Sequence, residues 1–437
     1  MAELVDGPPA GTGPDIDINA AAGSGLARFR RSPLGQTLAI RSFRYYWVST
    51  FFYFLVFGTQ RFTFIWLVLE LSDNAALAGV TAFALGIPAF FITLPAGALA
   101  DRLDRRKMVV WMNIGGAATS VAIAAMIWAD VMTVPLAILM ALLTGVTTAA
   151  TQPPLTAMIP TIVPRSRLMN GIVLRTMGQN LAMVLGAAVG GVVIDVWNIG
   201  GAFVILTVAY GLSTVAMFGV RGQQPQPAAQ GAEARPSLRT SVGEGLTFIY
   251  RTPGLFGLMV LLATMGFVML GPVFVLLPEI AREDLGQEAT GAALLFAITS
   301  VGMLVMSIAL ASMRRLRRKG AVLLTTLMIG GVIVVGLGLS QWYLVTAVVM
   351  FLWGLAGGIM INLNQTLAQS HTPDEMMGRV MSVVALAIAG MMPLGSLAAG
   401  GGAELIGAGE WLVVSGVAVT VIGAVLWARL PSLRTMD

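Results

Sequence analysis

Seven residues in the first quarter of the chain, Asp101-Arg-Leu-Asp-Arg-Arg-Lys107, hold six charges, and apolar runs long enough to cross a bilayer lie on both sides. Charge at that density cannot sit in hydrocarbon, where one Asp, Lys or Arg at a helix centre costs about 2.5–3.5 kcal/mol on insertion scales. The cluster therefore reads as a short aqueous connection between two membrane helices. Only helices and closed barrels satisfy every backbone polar group in lipid, and uniformly apolar runs of this length are helical.

Twelve apolar segments share this pattern, at about 45–71, 76–100, 108–129, 134–159, 168–195, 200–220, 253–281, 289–313, 320–340, 343–369, 377–406 and 410–430. Each is near the ~20 residues that a span needs. Charged residues make up 11% of the chain, against roughly 25% in soluble proteins. There is no Cys and a single His, His371. That leaves no disulfide framework, no Cys-ligated metal and no multi-His site, so neither a metal nor a cofactor is expected. The net charge of +5 is no nucleic-acid signal, because the basic residues lie in short loops. The expected partners are the lipid bilayer, a small-molecule substrate and, under coupled transport, protons. A monomer is expected.

An even number of spans puts both termini on one side. Of 26 Lys and Arg, all but Arg61 and Arg282 are assigned to the N-terminal segment, every second loop or the C-terminus, while the alternate loops hold mostly acids. This asymmetry predicts cytoplasmic termini and a cytoplasmic 97–107 loop. Residues 1–40 read as a disordered N-terminal tail, since the first 27 are rich in Gly, Ala and Pro and lack the basic start of a signal peptide. Residues 41–220 form one six-helix bundle, 221–245 a linker, 246–430 a second bundle and 431–437 a C-terminal tail. Ser241–Arg251 reads as a short amphipathic helix leading into span seven.

The halves repeat. At an offset of 209 residues Gly145 meets Gly354, Pro164 meets Pro373, Leu185-Gly186 meets Leu394-Gly395 and Gly191 meets Gly400. Arg105-Arg106-Lys107 finds a partner in Arg317-Arg318-Lys319. The expected fold class is thus an all-α membrane protein, with twelve transmembrane helices in two pseudo-symmetric six-helix bundles.

On these residues the chain resembles the major facilitator superfamily. Gly97, Asp101, Arg102, Arg105, Arg106 and Lys107 match its loop signature between helices two and three, and Asp104 departs from the usual Gly. Asp-Arg-x-Asp-Arg-Arg is similar to the enterobactin-exporter-like, or transmembrane-secretion-effector, subset. Trp66–Leu71, Asn170, Pro373-Asp374-Glu375, Gly378-Arg379-Val380 and Pro393-Leu394-Gly395 fit that subset too. The resemblance implies that Asp101 latches the halves on the cytoplasmic side by facing the start of span eleven. There Thr372-Pro373-Asp374-Glu375 reads as N-cap, N1 proline and capping-box glutamate, and Arg379 is the alternative partner. Gly186–Gly191 resembles an antiporter signature with Ala187 in place of Pro; a packing face is the other reading.

Arg61 lies about 24 Å into span one at 1.5 Å per residue. A charge at that depth faces a cavity or a partner, or else snorkels; facing a cavity, it would favour an anionic or acceptor-rich substrate. Gln60, Gln179 and Asn180 are candidates for the same level. Gln152 in span four and Asn362, Asn364 and Gln365 in span ten are further substrate-binding candidates, with helix bridging as the alternative. No acid lies in mid-span, so the proton-coupling candidates are Glu70, Asp195, Glu279 and Glu404, each of which also reads as an interfacial acid. A membrane enzyme is disfavoured because no span carries a nucleophile–base set. The expected function is secondary active export of amphipathic drug-like or siderophore-like molecules by alternating access, as a proton antiporter. An importer or uncoupled facilitator is the alternative within the class, and a non-transporting receptor or scaffold the alternative outside it.

Overall fold

The computed structural model describes residues 33–100, 102–221, 238–313, 316 and 318–437. Asp101, most of the expected tail, the middle of the linker and Arg314, Arg315 and Arg317 lie outside that set. Among the described residues there is no strand, and twelve helices are long and apolar enough to cross a membrane. Spans one to six are Arg41–Ser72, Ala75–Ala100, Arg105–Trp128, Val134–Ile162, Leu168–Trp197 and Ile199–Phe218. Spans seven to twelve are Pro253–Glu283, Ala289–Ser312, Lys319–Gly338, Tyr343–Ser370, Asp374–Ile406 and Ala408–Arg429. Short helices at Pro33–Leu38, Leu238–Arg251 and Pro431–Arg434 sit at the face where the described residues begin and end. That face, with its arginines, is the basic face; the opposite one is the acidic face.

Where the apolar runs stop, polar side chains finish the helices. Asp73 takes the left-handed conformation (φ 46°) to close span one. Asn198 accepts from the Gly201 N–H to open span six. Asp104, the departure from the loop signature, is the N-cap of span three: its carboxylate accepts from the Lys107 N–H at 3.1 Å. A glycine there would leave that N–H unpaired and remove an acid from the positive end of the helix.

Span seven carries a π turn at Met265–Leu270, followed by Gly271 and Pro272, and one local expectation, at span eleven, is corrected. Proline has no N–H to give the carbonyl four residues back, and an inserted residue relieves the clash. The capping box at span eleven does not form. Thr372 donates its hydroxyl to Ala368 O at 2.6 Å, in the preceding helix, and Pro373 occupies the N-cap position with no side-chain cap.

The sequence repeat is a repeat of contacts. Gly186 packs on Leu55 of span one, and its mate Gly395 on Phe267 of span seven, each backbone to backbone within its own half. Gly191 lies against span eight: a methyl group added there would meet Ala293 Cβ at 2.5 Å. Gly400 lies against span two, where an added methyl would meet Ala75 O at 2.5 Å. Spans five and eight, and spans eleven and two, are thus the same joint made twice across the seam between the halves. The Gly186–Gly191 stretch is a packing face of small residues that let helices approach closely.

Polar links across the seam, among the described residues, all lie at the acidic face. Asp195 accepts from the Ala289 and Thr290 N–H groups at 3.0 and 2.7 Å, capping span eight from the end of span five. Arg282 of span seven donates to Leu69 O at 2.8 Å and pairs with Asp73 at 2.5 Å. Removing both Asp195 acceptors by Asp195→Ala should weaken closure of the acidic end by about 1–2 kcal/mol, which is roughly 5–30-fold in population. The chain has no native Cys, so one cysteine at the fully buried Ala292 reports this directly. Its labelling by an impermeant maleimide should accelerate by that factor in the Asp195→Ala background, and an unchanged rate would place the seal elsewhere.

Candidate functional site

The charged loop ties helices together as well as marking an end. Arg105 donates to Ala100 O at 3.1 Å and to Ala157 O at 2.8 Å, joining span two to span four. Arg106 donates to Val220 O at 3.3 Å and lies 5.5 Å from the Phe218 ring, holding the end of span six. Arg102 and Lys107 are exposed, and Gly97 has room for a methyl group, whose nearest contact would be Pro153 Cβ at 3.8 Å. On the same face Arg379 pairs with Glu244 of the Leu238–Arg251 helix at 2.5 Å. That helix packs on the start of span eleven, beside a groove of about 510 Å³ lined by Glu244, Phe248, Arg251 and Met376. The pair is partly exposed, so it contributes little to stability, roughly 0–1 kcal/mol.

The acids predicted for proton coupling all stand toward the acidic face. Glu70 and Glu404 are exposed, and Asp195 caps span eight. Glu279 is partly buried, and its Oε2 has neither solvent contact nor a hydrogen-bond partner. Just past the end of span seven, burial raises the Asp284 carboxyl above its ordinary value, and Glu410 and Glu283 add to the effect.

At mid-seam the structure assembles a cluster that periodicity could not pick out. Phe62 of span one meets Phe296 of span eight edge-on across the seam at 6.2 Å. Phe296 stacks on Phe274 of span seven at 5.4 Å, and Phe274 meets Trp353 of span ten at 6.3 Å. Trp66 extends the row on the span-one side. The Arg61 guanidinium lies 5.9 Å from the centre of the Phe274 ring. A methyl group added at Gly86 of span two would sit 3.5 Å from Arg61 Nη2 and 2.5 Å from Pro393 Cγ of span eleven. Arg61 therefore stands where spans one, two, seven and eleven meet. Its Nη1 is buried without a hydrogen-bond partner, as is Trp353 Nε1. A cation–π contact contributes about 0.5–2 kcal/mol, short of the roughly 2.5–3.5 kcal/mol that an Arg at this depth costs. The site thus wants an acceptor.

The other polar candidates divide. Gln60 is used inside the first bundle, donating to Thr148 Oγ1 at 3.2 Å and accepting from Tyr210 at 3.3 Å. Asn362 donates to Ser307 of span eight and to Gly358 O, within the second bundle. Gln179 and Gln152 are half-buried, and Asn180 and Gln365 are exposed on their helices. Asn364 is buried with neither end of its amide paired. One residue needs correction. Arg175, assigned above to a loop, is the eighth residue of span five, about 10 Å from the helix start at 1.5 Å per residue. It lies over the Phe54 ring at 5.7 Å and donates to Thr156 Oγ1 at 3.3 Å, while its Nε is buried and unpaired.

Comparison with known proteins agrees with this architecture. The sequence model of the Major Facilitator Superfamily matches residues 46–396. The chain is 27% identical over 395 residues to the multidrug efflux pump Tap of Mycobacterium tuberculosis, covering 87% of this chain and 91% of the pump. It is 21% identical over 376 residues to macrolide efflux protein A of Streptococcus pyogenes, covering 85% and 92%. Among solved structures, a POT family transporter in complex with a thioalcohol-conjugated peptide superposes with a TM-score of 0.73 at 14% identity, over 90% of this chain and 96% of that one. A bacterial homologue of the human lysosomal transporter Spinster, in its inward-facing and unoccupied conformation, gives 0.64 at 15% identity, over 93% and 98%.

An amide buried with neither end paired costs about 1–3 kcal/mol. Asn364→Leu should therefore raise the melting temperature of the detergent-solubilised protein by roughly 2–4 °C while lowering transport. A fall in melting temperature would mean that the amide is satisfied within the fold.

Proposed function

We propose that this chain, which belongs to the Major Facilitator Superfamily, is a secondary active exporter of amphipathic, drug-like small molecules that works by alternating access. One observation carries the proposal. Among the described residues the two halves are joined by hydrogen bonds and an ion pair at the acidic face, and an aromatic cluster with an unpaired arginine lies between them. A molecule entering from the opposite face meets a site that combines apolar rings with unsatisfied donors, which suits an apolar body carrying polar groups. The basic face is the cytoplasmic one by its arginines, which makes this the inward-facing arrangement of a multi-pass protein of the cell membrane. The Mycobacterium and Streptococcus relatives are efflux proteins, which supports export over import.

Proton antiport belongs to the proposal, with Glu279 favoured among the four acids by its buried, unpaired oxygen. Asp101 is proposed as the latch that holds the basic face shut in the opposite state. Siderophore-like cargo remains within the proposed class.

Uptake of labelled macrolides and dyes into inverted vesicles, with and without a pH gradient, tests direction and coupling together. Accumulation should require the gradient; equal accumulation without it would remove antiport, and none with any compound would remove export. Asp101→Asn should reach the membrane at wild-type level. A latch docked at a helix end is worth roughly 0.3–2 kcal/mol, so transport should slow by about 2- to 30-fold. Loss of the protein from the membrane instead would make Asp101 a folding residue.

A further inference from the structure

Two guanidiniums lie along one stripe of span one. Arg175 covers the Phe54 ring, and Arg61 stands seven residues further along the same helix. Seven residues are two turns, so both positions share a face and lie about 10 Å apart along the axis. Gly58, between them on that face, brings span five close: a methyl group added there would meet Met183 O at 2.7 Å. Neither arginine forms an ion pair among the described residues. Glu70, Asp195, Glu279 and Glu404 stand toward the acidic face, and no span has an acid near either arginine in sequence.

The unmet needs there are all for acceptors. Arg61 Nη1, Trp353 Nε1 and Arg175 Nε are donors, each buried without a partner. Arg61 and Trp353 border the same Phe274 ring. A guanidinium fork matches an oxyanion in shape as well as charge. Next to it Phe62, Phe296 and Phe274 offer rings to an apolar body.

We propose that Arg175 and Arg61 are two successive stations for an oxyanion, such as a carboxylate, approaching from the basic face, and that the group at Arg61 is flanked by an apolar body on the phenylalanines. The inference rests on the reading of the seam as the cargo site. The oxyanion belongs either to the cargo, which is then an acidic amphiphile, or to a free carboxylate ion from solution. Arg175 selects on entry, and Arg61 with Trp353 holds the group at the level where the halves meet.

Fluorescein and rhodamine 6G share a xanthene skeleton and differ in charge, which makes them suitable probes for the purified full-length protein. Anisotropy titrations should show fluorescein binding at least tenfold tighter than rhodamine 6G. Arg61→Gln should weaken fluorescein tenfold or more and leave rhodamine 6G within twofold, and Arg175→Gln should weaken fluorescein severalfold. If Arg61→Gln does not give a monodisperse protein, Trp353→Phe keeps the test alive. It removes one donor and should weaken fluorescein about threefold or more. Acetate at constant ionic strength separates the sources. Displacement of fluorescein by millimolar acetate, lost in Arg61→Gln, assigns the station to a free ion; no displacement assigns it to the cargo's own acid. Either outcome supports the oxyanion site. Folded Arg61→Gln and Arg175→Gln that bind fluorescein as the wild type does would overturn it, as would a wild type that prefers rhodamine 6G or binds neither dye. Dye uptake into inverted vesicles keeps the two readings apart. Rhodamine 6G export with Arg61-independent fluorescein binding sinks the oxyanion site and leaves the exporter. Arg61-dependent binding with no uptake of either dye does the reverse.

Discussion

The constraint on which the rest depends is the exclusion of charge from hydrocarbon. It drives Arg102–Lys107 to a water face, sends most of the other described arginines to the same side, and leaves only a few charged residues within the spans. A charge that remains inside has to justify its cost through a contact. Arg105 and Arg106 do so on backbone carbonyls at the ends of spans four and six. Arg282 does so on Leu69 O and Asp73 at the acidic end of the seam. Arg61 has only the face of Phe274, which is why the seam reads as a place for something else to bind.

The fold was legible in the sequence because its two signals, run length and the alternation of basic and acidic loops, depend on the solvent and not on partner side chains. The glycine repeat was legible too, since close approach of backbones admits little else at Gly186, Gly191, Gly395 and Gly400. The interior of the site was not. Phe62, Phe274, Phe296 and Trp353 come from four spans, and nothing in the spacing of one helix says which of its aromatics face the seam and which face lipid. Gln60 and Asn362 looked like cavity residues because an amide in a span is conspicuous, yet each bonds within its own bundle. Arg175 was read as part of a loop because it lies near the start of a span, where a basic residue is ordinary.

Local rules failed where tertiary contacts competed. Thr372 has the type and position of a helix N-cap, but its hydroxyl donates to the Ala368 carbonyl of the preceding helix. Span seven carries a π turn ahead of Pro272, and Pro272 lies two residues before Phe274. Asp104 runs the other way. It departs from the loop signature, and its cap on Lys107 N supplies a structural reason for the departure.

The joint made twice, by spans five and eight and by spans eleven and two, has a consequence beyond packing. In symmetry terms it is an isologous contact, the kind that closes a twofold dimer, contained here within one chain. An isologous pair of contacts relates the two halves by a twofold axis running between them, so a rocking motion of one half against the other moves both joints together. The two copies have kept the joint and diverged elsewhere. With Leu55 answering to Phe267, Arg61 answers to Val273, so the charge at the axis belongs to one half alone. A symmetric frame thereby acquires a polarity, and a cargo at the seam meets two different walls.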